Sequence, residues 1–230
     1  GDDNQKNPWP PFMPEVTDSE RGKPFTREQD KAVLDAAEKV GGGWWLACQI
    51  ARHTGLRYSS VARLKWREID FEKGVIRHMP PKTARHNIEV VLPLTRHLRD
   101  ALEKASAERH APMLPGKKKR KSRPQDPDNV LPLHAAYYPR PGHSGGPGDF
   151  AEVLKEAKLD GMGYTFHSWR HTFRTRLSEA GVSDDLAKRL GGWTENATAA
   201  RYDHAERVEE LRAAVEKANN PEKEYPQKAG

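Results

Sequence analysis

The chain has 230 residues, enough for one large domain or two small ones, and its charged residues, 31% of the total, leave a net charge of +6 and a pI near 9.3. A pI above about 9 is one footprint of nucleic-acid binding, and an ordinary basic protein shares it. One cysteine, Cys48, excludes an internal disulfide framework and a cysteine-cluster zinc site; no apolar run approaches the ~18 residues of a membrane span and no secretory leader pattern opens the chain, so a reducing, cytoplasmic setting is expected.

Residues 1–25 contain Pro8, Pro10, Pro11, Pro14 and Pro24 without periodicity, and are expected to form a Pro-rich linker or N-terminal extension. Regular structure begins at TREQ, where Thr26 and Gln29 form a capping box and Val33, Leu34, Ala37 and Val40 keep helical spacing up to Gly41–Gly43. WWLACQIARH predicts a second, largely buried helix stopped at Thr54-Gly55, and a short third helix follows over about Ser59–Lys65. WREIDF, GVIRHM and IEVVLPL are short, β-branched and bounded by turns, which predicts a small antiparallel sheet. Thr95 caps a helix carrying Leu98, Ala101, Leu102 and Ala105. Residues 110–148 break the order with a basic, Pro/Gly-rich stretch expected to be a mobile insertion. Helices resume near Asp149, from about Thr165 to Ala180, over Ser183–Leu190, around Tyr202 and over about Glu206–Asn219, before a tail at 221–230.

Four constellations stand out. In HTGLRYSSVARLKW, Arg57 sits between apolar anchors at a helix junction, which suits either a phosphate-binding guanidinium or a structural salt bridge. Lys82 lies in the hairpin turn PPKTARHN, where a lysine can meet phosphate or merely be solvated. HSWRHTF places His167, Arg170, His171 and Arg174 on one helical face beside an apolar stripe of Phe166, Trp169, Phe173 and Leu177. Near a helix N-terminus the first group suits an anion; packing and metal binding are the alternatives. The metal alternative lacks the glutamate of a zinc-protease helix, since Ser168 holds that position, and lacks further ligands, so no metal is expected. In LGGWTENATAARYDHA, Trp193 follows a helix stop and Tyr202 comes nine residues later.

The succession Arg57 in TGLR, Lys82 on a hairpin, HSWRHTF and LGGW…RY resembles, over roughly residues 26–215, the catalytic domain of the tyrosine recombinases, or phage integrases. That resemblance implies an α+β, mainly helical catalytic domain over 26–220 with a small three-stranded antiparallel sheet and the insertion at about 110–148, the family's N-terminal core-binding domain being absent. It implies a site-specific recombinase or integrase that cleaves and rejoins double-stranded DNA without a cofactor, as a tetramer on its site in the full-length protein. It assigns Arg57 and Arg170 to the scissile phosphate, Tyr202 to a 3′-phosphotyrosyl link, Lys82 to the leaving oxygen, His167 to proton transfer, and Trp193 to a position held by histidine or tryptophan. Arg85, His86, Lys117, Lys118, Lys119, Arg120 and Lys121 are expected to add DNA contacts. Ser60 departs from the acidic residue often found three after the first arginine. The competing functions are an inactive or regulatory DNA-binding module of the same fold, and a type IB topoisomerase or telomere resolvase.

Overall fold

The computed structural model describes residues 23–79, 89–110, 126–137, 150–191 and 208–219. The expected N-terminal linker up to residue 22, most of the 110–148 insertion, the short helix around Tyr202 and the tail lie outside those ranges.

Helix α1 (Arg27–Val40) starts where the capping box predicts: the Gln29 amide donates to Thr26 Oγ1 at 3.3 Å and the Thr26 amide to Gln29 Oε1 at 3.0 Å. Helix α2 (Trp44–Thr54) is buried along nearly its whole length, as its apolar composition requires, and Gly55 ends it at φ +64°. A short α3 (Tyr58–Arg63) leads to a 3-10 turn over Trp66–Glu68. The first expected strand is therefore mostly turn; the glutamate of WREIDF reaches back to the Lys65 amide at 2.7 Å, leaving Ile69–Asp70 as β1.

Strands β1, β2 (Val75–His78) and β3 (Val90–Pro93) pair antiparallel in chain order, with Ile76 opposite Leu92 and His78 opposite Val90. Ile76, Val90 and Leu92 enter the main core, and by the two-residue alternation of strands Val75 and Val91 take the other face. Helix α4 (Arg96–His110) is capped by Thr95, whose hydroxyl accepts the Leu98 amide at 3.3 Å.

The part of the insertion that the structure describes is regular structure packed on the body. Residues 126–137 join the body: Lys65 and Asn129 form a β-bridge, Val130 and Leu131 are buried, and Pro132 opens helix α5 (Pro132–Tyr137). Helices α6 (Phe150–Glu156), α7 (Ser168–Glu179), α8 (Asp184–Gly191) and α9 (Val208–Ala218) complete the fold. It is mainly helical with one small antiparallel sheet, the α+β class expected.

Two apolar clusters meet at α7. Trp169 belongs to the larger one, built on α1, α2, α4 and the sheet; Phe173 and Leu177 belong to the smaller, with Leu186, Leu190, Leu211 and Val215 of α8 and α9. Beneath them, Asp30 of α1 accepts from Arg52 Nε at 3.0 Å and from Arg176 of α7, while Arg176 Nη1 donates to Asn219 at 3.2 Å. All four side chains are buried, and the carboxylate lies against both guanidinium groups, lowering the cost of burying them.

Candidate active site

The site grows from the bend between α2 and α3. Thr54 is the last residue of α2, and its hydroxyl accepts the Leu56 amide at 3.3 Å. Gly55 supplies the left-handed turn, and a Cβ there would lie 2.5 Å from Phe173 Cδ1, so the position also needs the smallest residue. Leu56 is buried, which turns the next side chain, Arg57, to the exposed surface at the start of α3.

Helix α7 brings the second group of residues to the same bend. Trp169 and Phe173 are 0% and 1% exposed, the packing half of the HSWRHTF motif. Arg170, which helical spacing places on the face of His167 beside the apolar stripe, is only 6% exposed, and its Nη1 donates to the Gly55 carbonyl at 2.8 Å. Arg170 thereby fastens α7 to the turn that presents Arg57. Burial, with the charges of Arg57 and Arg174 next, pulls its pKa down to about 10, so it stays cationic at neutral pH. Two guanidinium groups that raise each other's energy form a place where an anion relieves repulsion.

His167 stands immediately before α7, partly exposed, its ring edge-to-face with His171 at 4.9 Å. Burial lowers its pKa, followed by the influence of His171, Arg170 and Arg57, so the ring is neutral at pH 7 and able to take a proton. The helix end itself offers less than expected for an anion. The amides of Ser168, Trp169 and Arg170 already donate to the carbonyls of Thr165, Phe166 and His167, so binding power here comes from side chains. Among the described residues no group of three His, Cys, Asp or Glu is placed to hold a metal.

An aromatic cluster lies under the site that spacing alone did not reveal. Tyr58, next to Arg57, meets Phe166, next to His167, at 4.9 Å; Trp44 stacks on Tyr58 at 5.7 Å, and Phe150 packs on Phe166 at 5.3 Å. The buried Asp30–Arg52–Arg176 group was also missed. The available signal was a carboxylate on the apolar face of α1, three residues before Val33. Of the expected site residues, Arg57, His167 and Arg170 are brought together; Lys82, Trp193 and Tyr202, with Arg85, His86 and Lys117–Lys121, lie outside the described residues.

Residues 23–209 match the model described as the phage integrase family. Over 227 residues, 96% of this chain and 70% of the relative, the chain is 27% identical to tyrosine recombinase XerA of Thermococcus kodakarensis. It is 24% identical to the integrase of Salmonella phage P22 over 156 residues, which are 68% of this chain and 38% of that protein. Among solved structures, the Tn1549 transposon integrase in complex with a circular intermediate DNA superposes with a TM-score of 0.56 at 24% identity, covering 85% of this chain and 67% of the other.

Proposed function

Because this chain belongs to the phage integrase family, we propose that it cleaves and rejoins DNA strands, the phenol of Tyr202 attacking a phosphodiester held by Arg57 and Arg170. Attack forms the bond from Tyr202 Oη to phosphorus and breaks the bond to the 5′ oxygen. The phenolic proton goes to His167, which its surroundings keep neutral, and Lys82 protonates the departing oxygen. Charge that builds on the non-bridging oxygens falls between the Arg57 and Arg170 guanidinium groups, where it is stabilised most in the transition state. The phosphotyrosyl link conserves the bond, so a 5′-hydroxyl can reverse the step without ATP.

The single observation that supports this most directly is the 2.8 Å bond from Arg170 to the Gly55 carbonyl, which gives two like-charged arginines a common anchor. An assembly of such chains on double-stranded DNA, four in the full-length protein, would bring two exchanging strands together. Among the described residues no helix is long and apolar enough to cross a membrane, and cytoplasmic DNA is the proposed setting.

The test uses duplexes tiled across the DNA flanking the coding region and nicked so that the short fragment carrying the freed 5′-hydroxyl diffuses away. Wild type is expected to accumulate a denaturant-resistant protein–DNA adduct, in EDTA as in its absence, and Tyr202→Phe none. An equal adduct from Tyr202→Phe would overturn the nucleophile assignment; relaxation of a covalently closed supercoiled plasmid of unrelated sequence, assayed in parallel, would favour a type IB topoisomerase.

A further inference from the structure

We infer that Tyr58 and His134 are positioning residues for Arg57: their hydrogen bond holds the start of α3 where the guanidinium can meet phosphate. This builds on the strand-transfer function proposed above and concerns the root of Arg57 rather than its contact with DNA.

Helix α3 is short and its first turn has no side-chain cap. The Arg57 backbone is extended, and its carbonyl accepts the amides of Ser60 and Val61 at 2.9 and 3.0 Å. What fixes this turn sideways comes from the next residue. Tyr58 packs its ring against both Trp44 and Phe166, and its hydroxyl is 2.9 Å from His134 Nδ1. His134, on α5, is 0% exposed, and its Nε2 lies 3.1 Å from the Gly42 carbonyl. A carbonyl oxygen only accepts, so Nε2 carries the ring proton and Nδ1 is left to accept from the Tyr58 hydroxyl. The tautomer is therefore fixed, and the chain of bonds runs from the turn before α2, through α5, to the residue after Arg57.

The same tyrosine ring touches Phe166, the residue before His167. One rigid group thus sets the relative placement of the two segments that carry Arg57 and His167. A phosphate clamp works only when its members are held to within about 0.5 Å, and a displacement near 1 Å can cost on the order of a hundredfold in rate. Ring packing resists translation of Tyr58; the bond to His134 resists the tilt that packing alone allows.

Three substitutions in the full 230-residue chain separate positioning from plain stabilisation. Tyr58→Phe keeps the ring and removes the donor. His134→Gln reaches toward Gly42 and loses the acceptor at the Nδ1 position. His134→Asn keeps an acceptor there, loses the Gly42 bond and leaves a gap. Single-turnover cleavage on the tiled nicked duplexes should fall roughly tenfold or more in Tyr58→Phe and His134→Gln, with DNA Kd within about twofold of wild type. His134→Asn should cleave within about threefold of wild type although it melts lower, and exchange of the Ser60 and Val61 amides should accelerate only in the first two. A Tyr58→Phe protein with the wild-type rate would overturn the inference, as would rates that simply follow melting temperature across the three. Should wild type form no adduct, strand transfer itself falls; unchanged Ser60 and Val61 exchange in Tyr58→Phe would then still overturn the positioning role, and faster exchange would uphold it.

Discussion

Gly55 does three things at one residue: it takes φ +64°, it makes room for Phe173, and its carbonyl receives Arg170. Gly55→Ala should therefore cost about 2–4 kcal/mol, from left-handed backbone strain plus overpacking, measured by urea unfolding. It should lower cleavage more than the stability loss explains, because the Arg170 anchor moves; an alanine variant as stable as wild type would refute the geometry. The spacing of HSWRHTF makes the packing of Trp169 and Phe173 legible and puts His167 and Arg170 on one neighbouring face, while Lys82, Trp193 and Tyr202 lie outside the described residues. The depth of Arg170 was not legible, since its partner lies 115 positions away in the chain and nothing in a helical repeat encodes it. Asp30 and Arg176, 146 positions apart, were hidden for the same reason.

Helix starts were readable wherever the chemistry is local, as Thr26 with Gln29 and Thr95 with Leu98 demonstrate. The 126–137 segment was not, because its Pro and charged neighbours mask a short run, Val130 and Leu131, that buries against distant elements. Leu211 and Val215 form the apolar face of α9, a pattern that suits either a neighbouring molecule or the chain's own body. In the structure both are buried in the cluster of Phe173 and Leu177. Polar contacts fasten the same helix: Glu216 accepts the Arg96 amide at 2.6 Å, and Arg212 Nη2 donates to the Gly74 carbonyl at 3.3 Å. Leu211→Ala should accordingly cost about 2–4 kcal/mol in urea unfolding of the DNA-free protein. A change below about 0.5 kcal/mol, the range of exposed sites, would mean that α9 does not rest there in solution.

At the scale of the whole molecule, buried neutral histidines tie stability to pH. Burial brings the pKa of His134 from an ordinary 6.5 down to about 4. The unfolded chain binds this proton more readily, so the stabilisation is complete above about pH 6.5 and is lost as the pH falls toward 4, on the order of 3 kcal/mol in all. His53, buried beside Arg52 and His97, shifts the same way and steepens the loss. The melting temperature should fall between pH 6.5 and 4, and His134→Asn should flatten that slope; equal slopes in the two proteins would mean that His134 titrates as it does in water.

The buried link from Asp30 to Arg176, with the Phe25 amide donating to Thr172 Oγ1 at 2.8 Å, also constrains the order in which the chain is made. Synthesis delivers α1 and α2, with the Asp30–Arg52 pair, long before α7, at about 5–20 residues per second, so their remaining apolar faces and the Asp30 carboxylate's second partner, Arg176, wait on chain still inside the ribosome. Closing so long a loop gives few rewards until it is complete, which favours slow, all-or-none acquisition of the core over stepwise growth from the N-terminus. The arginine pair that would grip a phosphate thus comes into being in the same event as the fold itself, and a nascent chain that stops short of α7 has no such pair to offer DNA.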